Sequence, residues 1–110
     1  MNISKEERGF SIRGELYSEF IFDCKSLFAI KLFWFLVQNV KLENNNCVFV
    51  KQQVMADKFK VSRQALRKPL IELVRLEAIK KIKSGYMVNP SVEIKEYTQF
   101  HKQTFARWYR

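Results

Sequence analysis

The residues with the clearest chemical role form a polar run near the middle of the chain, between positions 62 and 71. Arginine and lysine pair with phosphate oxygens, and arginine can also donate two hydrogen bonds to the edge of guanine. Glutamine pairs in a similar way with adenine, and an aliphatic side chain such as isoleucine can contact the methyl group of thymine. These residue types together predict a surface that contacts double-stranded DNA. The residues concerned are Ser62, Arg63, Gln64, Arg67, Lys68 and Ile71.

The distribution of charge supports the same prediction. The formal net charge is +9, and residues 51–86 carry ten basic against three acidic side chains, whereas the charges of residues 1–50 cancel. A surface charged only for solubility would mix its signs more evenly. We therefore expect this third of the chain to bind phosphate groups. Four further lysines join the predicted DNA-binding set: Lys51, Lys80, Lys81 and Lys83.

The residues needed for other kinds of site are missing from the sequence. A structural zinc site needs about four closely grouped nitrogen or sulfur ligands, whereas Cys24, Cys47 and His101 lie far apart. His101 has no serine, cysteine or acidic partner at a recognisable catalytic spacing, and there is no phosphate-binding glycine loop. We therefore expect no metal, no cofactor and no enzymatic activity, and we expect the two thiols to be reduced and partly buried.

A helix over residues 63–76 would position the polar run. Its apolar residues Leu66, Leu70 and Leu73 would then face the core, with Val74 on the flank of that face. Opposite would lie Gln64, Lys68, Ile71 and Arg75, with Arg67 at the boundary. Pro69 conflicts with this helix, because proline within a helix removes a backbone hydrogen bond. The helix must therefore either bend at Pro69 or begin elsewhere.

The neighbouring segments predict a characteristic order of elements. A short strand or arm over 10–17 is followed by a strongly apolar helix over 24–40, a strand over 47–50 and a helix over 52–59. A tight turn with Ser62 as helix N-cap comes next, then the helix over 63–76. A hairpin over 78–88, in which Gly85 is free to take a positive φ, and a closing helix over 91–110 complete the chain. The fold class predicted by this order is mainly α with a small β-hairpin, a winged helix-turn-helix.

The length of 110 residues suits one domain with one core. We predict a single domain with an N-terminal arm (1–20), a winged-helix core (21–90) and a C-terminal helix (91–110). The helix over 24–40 is apolar on nearly every side, so both termini or a second subunit must cover it. Aromatic residues at helical spacing near the C-terminus add a second apolar face, and together these features predict a homodimer.

The sequence has no targeting or membrane segment. No apolar run follows the charged N-terminus, and the apolar stretch over 27–37 is interrupted by Lys31. A membrane-spanning helix would need about 20 apolar residues. We therefore expect a cytoplasmic protein without a membrane partner.

Two stretches resemble known proteins. Residues 61–70, with the lysine-rich segment over 78–81, resemble the recognition helix and wing of bacterial winged-helix regulators. The string over 85–90, Gly-Tyr-Met-Val-Asn-Pro, resembles the end of the wing in plasmid replication proteins of the RepL type. The resemblance covers about residues 27–90 and implies DNA binding in plasmid or phage replication initiation or copy control. It places at the DNA the residues Ser62, Arg63, Gln64, Arg67 and Lys68.

Three alternatives remain open at this point. A transcriptional repressor would use the same surface on duplex DNA. A winged helix that binds an acidic protein partner would present the same basic face to a different polyanion. A third possibility is a binder of single-stranded DNA, in which bases stack on the aromatic residues of the C-terminal segment.

Overall fold

The computed structural model describes residues 10–40, 45–96 and 101–109. The elements follow one another in the order of a winged helix-turn-helix, which confirms the predicted α+β fold class. In chain order the elements are β1 (Phe10–Arg13), α1 (Tyr17–Asp23), α2 (Leu27–Gln38), β2 (Cys47–Val48), α3 (Gln52–Phe59), a 3-10 turn (Gln64–Leu66), α4 (Arg67–Arg75), β3 (Ile79–Ile82), β4 (Gly85–Val88), β5 (Glu93–Glu96) and α5 (His101–Trp108).

The wing is an antiparallel hairpin of β3 and β4, and β2 pairs with β4 on its other side. The prediction that Gly85 supplies a positive φ to the hairpin turn is wrong, because Ser84 takes that conformation, with a φ of 68°. Gly85 has a different role. A Cβ atom on Gly85 would lie 2.1 Å from the carbonyl oxygen of Val48. Glycine is therefore required by the close approach of β2 to β4.

The core is built around α2, whose side chains Leu32, Phe33 and Leu36 are fully buried. The apolar faces of this helix are covered by other parts of the same chain. Phe20 of α1 packs on Phe33 with ring centroids 4.7 Å apart, and Phe59 of α3 packs on Phe35 at 5.8 Å. Most of the apolar surface of α2 is therefore covered within one chain, whereas Leu27 in its first turn is 66% exposed.

A sharp corner joins α3 to α4. Lys60 adopts a left-handed conformation with a φ of 57°, which ends α3. The backbone N–H of Val61 then donates to the carbonyl oxygen of Ala56 at 3.0 Å. Ser62 caps the next element as predicted, because its hydroxyl oxygen accepts from the Ala65 N–H at 3.2 Å. The corner fixes the direction in which the following helix leaves the core.

The predicted helix over 63–76 is divided in two, and this division resolves the conflict over Pro69. A 3-10 turn covers Gln64–Leu66, and the α-helix proper covers Arg67–Arg75. Pro69 is therefore the third residue of α4 rather than an interior residue. The first four N–H groups of a helix have no acceptor within the helix, so a proline at this position costs no hydrogen bond. The predicted start of the helix was wrong.

A second small sheet joins distant parts of the chain. β1 pairs antiparallel with β5, and Arg13 lies opposite Glu93 in this register. The prediction of one closing helix over 91–110 is therefore wrong for Glu93–Glu96, since backbone pairing with β1 holds these residues extended. Only the later segment, α5, is helical. The aromatic residues Tyr97 and Phe100 lie outside the described residues, as do positions 1–9 of the predicted N-terminal arm.

Candidate nucleic-acid interface

A groove of about 830 Å³ runs between α4 and the wing. We call it the helix–wing groove. One wall is formed by the corner, the 3-10 turn and the length of α4, and the other by the wing and the start of α3. Its lining residues are Gln52, Arg63, Gln64, Arg67, Leu70, Ile71, Val74, Arg75, Lys81 and Tyr86.

The orientation of the 3-10 turn and of α4 is set by three leucines on their inner face. Leu66 and Leu73 are completely buried, and Leu70 is 6% exposed. Burying each leucine is worth about 1.5–3 kcal/mol, so the helix cannot turn these side chains outward without a large loss of stability. Arg67 and Ile71 must consequently lie on the open side, and both are exposed.

The helix–wing groove is electropositive. Arg63, Arg67 and Lys81 line it with exposed cationic side chains. Arg75, also in the lining, is paired with Glu72 at 2.9 Å, and this hydrogen-bonded pairing lowers the pKa of the Glu72 carboxyl. Within the described ranges, no acidic side chain belongs to the lining. A concave surface lined by one sign of charge concentrates ligands of the opposite sign, here anions.

A second hollow, of about 660 Å³, lies beside the first, where the loop between β2 and α3 meets the wing. The two hollows share four lining residues and therefore form one continuous concave surface. The shared residues are Arg63, Lys81, Gln52 and Tyr86. Lys51 adds a further cation to this hollow. Its lining residues are Phe49, Val50, Lys51, Gln52, Gln53, Arg63, Lys81, Ser84 and Tyr86.

One contact joins α3 to the wing across this surface, and a second lies within the wing, between the cross-strand partners Lys81 and Tyr86. The Gln52 side chain donates through Nε2 to the Tyr86 hydroxyl at 3.1 Å. The Lys81 ammonium lies 5.2 Å from the centroid of the Tyr86 ring, within the range of a cation–π interaction. The wing is therefore held at a defined position relative to the helices, and Lys81 is held over the concave surface.

The structure brings most of the predicted site residues to this side of the molecule. Five of them line the helix–wing groove and one lines the adjoining hollow. Three others are exposed on the corner, on α4 and on the turn of the wing. The groove residues are Arg63, Gln64, Arg67, Ile71 and Lys81, the hollow residue is Lys51, and the remaining three are Ser62, Lys68 and Lys83.

Lys80 does not share this face, which corrects its grouping with Lys81 and Lys83. Successive side chains of a strand point to opposite faces of the sheet, so Lys80 and Lys81 diverge. The Lys80 ammonium donates to the backbone carbonyl oxygen of Trp108 at 2.6 Å and lies 4.7 Å from the centroid of the indole ring. The side chain is therefore engaged by α5 on the reverse face of the wing.

The C-terminal helix α5 packs against its own chain on this reverse face. Thr104 is completely buried, and its hydroxyl donates to Asn45 Oδ1 at 3.3 Å. The Tyr109 and Ser91 hydroxyls are 3.2 Å apart and share a hydrogen bond. The C-terminal segment thus has a packing role in the structure, and its Trp108 is engaged with Lys80.

Sequence reasoning left several lining residues out of the predicted site, among them Val74, Gln52 and Tyr86. Val74, predicted on the flank of the core face, is 45% exposed and lines the groove. It lies seven residues after Arg67, about two helical turns, and this spacing could have placed it on the open face. Gln52 and Tyr86 gave no such signal, because their contact depends on how the wing packs on α3.

The described residues also bear on the two thiols, on metal binding and on membrane insertion. Cys24 and Cys47 are both buried and free, as predicted, and burial raises the pKa of the Cys47 thiol. The described part of the chain contains no group of three His, Cys, Asp or Glu side chains that could hold a metal ion. Among the described residues, no helix has the length and apolar character needed to cross a bilayer.

Comparison with known proteins supplies a family. The family model described as Firmicute plasmid replication protein (RepL) matches residues 5–109. The match extends beyond the winged helix to include β1 and α5. No curated protein and no solved structure matches the chain.

Proposed function

The chain belongs to the RepL family of plasmid replication proteins, and we propose that it acts by sequence-specific binding of double-stranded DNA. The proposed role is replication initiation or copy control. One observation carries the proposal. The corner, α4 and the wing each contribute a cation (Arg63, Arg67 and Lys81) to one concave surface that also presents Gln64.

In this proposal α4 and the preceding 3-10 turn enter the major groove, which is wide enough for a helix. Gln64 and Arg67 lie on the first turns of this segment and contact base edges, where their side chains suit adenine and guanine. Ser62, Arg63 and Lys51 lie at the corner and at the start of α3, and they contact phosphates on either side. Lys68 follows Arg67 on the exposed surface of α4 and contacts the backbone.

The wing contributes a second set of contacts. Lys81 faces the concave surface and Lys83 is exposed in the hairpin turn. In a winged helix these positions follow the phosphate backbone or reach the adjacent minor groove, where cations are favoured. Lys80 is omitted from the proposed contacts, because its ammonium is bound by α5. The wing therefore supplies affinity rather than base preference.

A homodimer forms part of the proposal, with two units on half-sites about one helical turn apart. The junction of α1 and α2 presents Phe22, 82% exposed, and Leu27, 66% exposed. Burial of these apolar side chains against a second copy would supply the association. Sedimentation of the protein with and without DNA measures the number of copies per duplex, and one copy per selected site would contradict the dimer.

The proposal is tested by selection from a library of random duplexes of about 30 base pairs, long enough for two half-sites. The bound fraction is sequenced, and the affinity of a selected duplex is measured by fluorescence anisotropy. Arg67→Ala should lower this affinity about 10–100-fold and relax the preference at one base pair, because a bidentate contact to guanine is worth about 1–3 kcal/mol.

Lys31→Ala is the matched control, since Lys31 is exposed on α2 and outside both hollows. This variant should bind within about twofold of the unmodified protein. Absence of duplex binding even at about 50 mM salt would overturn the proposal, since phosphate contacts are strongest at low salt. Binding without any sequence preference would overturn the assignment of Gln64 and Arg67 to base edges.

A further inference from the structure

The helix–wing groove has an apolar strip among its cations. Ile71 is 56% exposed and Val74 is 45% exposed, and both line the groove beside Leu70. Exposed aliphatic side chains on the open face of a helix lose contact with water only when a partner covers them. A surface whose sole task was to bind phosphate would place polar residues at these two positions. The strip, set among cations, therefore suits an apolar group within a negatively charged ligand.

Duplex DNA offers such a partner. The major groove exposes one strongly apolar group, the C5 methyl of thymine, beside the acceptors and donors of the base edges. Arg67, one helical turn before Ile71, and Lys81, across the groove, flank the strip with cations that attract the phosphate backbone. A neutral protein helix would satisfy Ile71 and Val74 but would leave these cations unpaired. The charge around the strip thus favours DNA over an apolar protein partner.

The spacing of the two residues adds a geometric condition. Ile71 and Val74 are three residues apart, which is a rise of about 4.5 Å along a helix. Neighbouring base pairs are about 3.4 Å apart along a duplex. Two side chains at this separation match methyl groups on adjacent base pairs better than methyl groups two steps apart.

We infer that Ile71 and Val74 determine specificity by contacting the methyl groups of thymines in two adjacent A·T pairs. These pairs lie beyond the bases read by Gln64 and Arg67, on the side of the second half of α4. The inference rests on the proposed function, because it requires α4 to occupy the major groove. It predicts that the bound site contains neighbouring thymines at fixed positions.

Replacement of thymine by deoxyuridine tests this inference, because deoxyuridine keeps the base pairing and lacks only the C5 methyl. Each thymine of the duplex selected from the random library is replaced in turn. Replacement at two adjacent base pairs should weaken binding about fourfold each, the effect expected when one buried methyl group is lost. Replacement elsewhere should leave the affinity unchanged.

Variants of the protein then assign each methyl group to a side chain. Ile71→Ala should abolish the difference between thymine and deoxyuridine at one of the two positions, and Val74→Ala should abolish it at the other. Val54→Ala is the matched control, since Val54 is 51% exposed on α3 and outside both hollows. Val54→Ala should keep the difference in affinity between thymine and deoxyuridine at both positions. All three side chains are exposed, and thermal unfolding of each variant checks that the fold is retained.

The outcomes separate the inference from the proposed function. Sequence-specific duplex binding that is indifferent to deoxyuridine would overturn the inference and leave the proposed function standing. Discrimination that persists in both groove variants would also overturn it, because another part of the protein would then contact the methyl groups. A change in oligomeric state on Ile71→Ala would assign the strip to a protein interface instead. Absence of duplex binding would remove the proposed function and the inference together.

Discussion

Each face of the wing carries a lysine from β3, and the two lysines make different contacts. Lys81 lies over the Tyr86 ring on the concave side, where its charge is exposed beside Arg63. Lys80, the preceding residue, donates to the Trp108 carbonyl and lies against the indole ring on the covered side. One lysine is therefore available to a ligand, and the other fastens α5 to the wing.

This difference shows that a count of basic residues does not define an interface. The charge excess of residues 51–86 predicts a basic surface, but the alternation of β3 divides its lysines between two faces. The end of a helix carries partial negative charge on its free carbonyl groups, which suits a cation. Lys80 occupies this position at the end of α5. Its charge stabilises the fold, whereas Lys81 is exposed and, among the described residues, donates only to the carbonyl oxygen of its neighbour Ile82, at 2.8 Å, which leaves the ammonium accessible to phosphate.

The largest expected effect comes from the antiparallel pairing of β2 with β4, which joins the wing to the rest of the protein. In Gly85→Ala the new methyl group would collide with the Val48 carbonyl oxygen, so the strands must separate. We expect a loss of about 3 kcal/mol in the free energy of unfolding, at the upper end of overpacking effects. Chemical denaturation measures it. Ser84→Gly is the control and should be at least as stable as the unmodified protein, since φ is positive at Ser84. Equal stability of Gly85→Ala would refute the close approach.

A smaller effect separates the two lysines in DNA binding. Lys81→Ala should weaken binding to every duplex alike and reduce the slope of log affinity against log salt by about 0.9, the value for one lost phosphate contact. Lys80→Ala should leave this slope unchanged and lower the free energy of unfolding by about 1 kcal/mol, because a partly buried charged hydrogen bond is lost. Titrations at several salt concentrations, with thermal unfolding, measure both. Equal slopes for the two variants would remove the distinction between the faces.

The cation–π contact between Lys80 and the Trp108 ring is worth less still. A double-mutant cycle separates it from the hydrogen bond to the Trp108 backbone carbonyl, which does not need the ring. Lys80→Met, Trp108→Leu and the double variant are compared with the unmodified protein. We expect a coupling energy of about 0.5–1 kcal/mol, typical of a cation–π pair that is only partly removed from water. Additive effects of the two substitutions would show that α5 and the wing do not stabilise each other through this pair.

The smallest expected effect is a pH dependence of stability that arises from the buried side chain of Glu93. Glu93 is 2% exposed, its Oε1 atom has no hydrogen-bond partner, and Asn46 donates to its backbone carbonyl at 2.7 Å. Burial raises the pKa of the Glu93 carboxyl, and Arg13 opposes the shift to a smaller extent. The folded state therefore holds the proton more tightly than the unfolded state. The contribution of Glu93 to stability falls as pH rises from the unfolded pKa through the folded one.

Glu93→Gln should remove this loss, because the amide does not ionise. The variant should gain stability relative to the unmodified protein as the pH is raised from about 4 to about 7, across the range in which a carboxyl with a raised pKa titrates. Thermal unfolding at a series of pH values measures the difference. A constant difference, or one that shrinks as the pH rises, would contradict the raised pKa of the buried Glu93 carboxyl.

Local patterns in the sequence predicted much of the fold. The helix α3 was predicted with its observed bounds, and the wing and the Ser62 cap were placed correctly, because turn residues and periodicity mark them within a few positions. The pairing of β1 with β5 was not predictable in this way. Its partners are about eighty residues apart, and the backbone bonds that hold β5 extended leave no pattern in its own four residues.

The candidate site was predicted in part for the same reason. The exposed positions of the 3-10 turn and α4 follow from the leucines of the opposite face. Gln64 and Ile71 were therefore predicted on the open side, where they line the groove, whereas Arg67 was predicted only at its boundary. Lys80 and Tyr86 depend on which face of the wing each occupies and on what packs against that face. Contacts between elements decide this, and the position of α5 cannot be read from the residues of β3.

A duplex titration followed by NMR shows which face of the protein the DNA contacts. The backbone amide signals of the labelled protein are recorded as a duplex selected from the random library is added. We expect the largest shifts at residues 62–74 and 81–84, with the signals of α5 unchanged. Shifts concentrated on α5 and around Lys80, with the helix–wing groove unaffected, would show that the DNA binds the opposite face and would contradict the account.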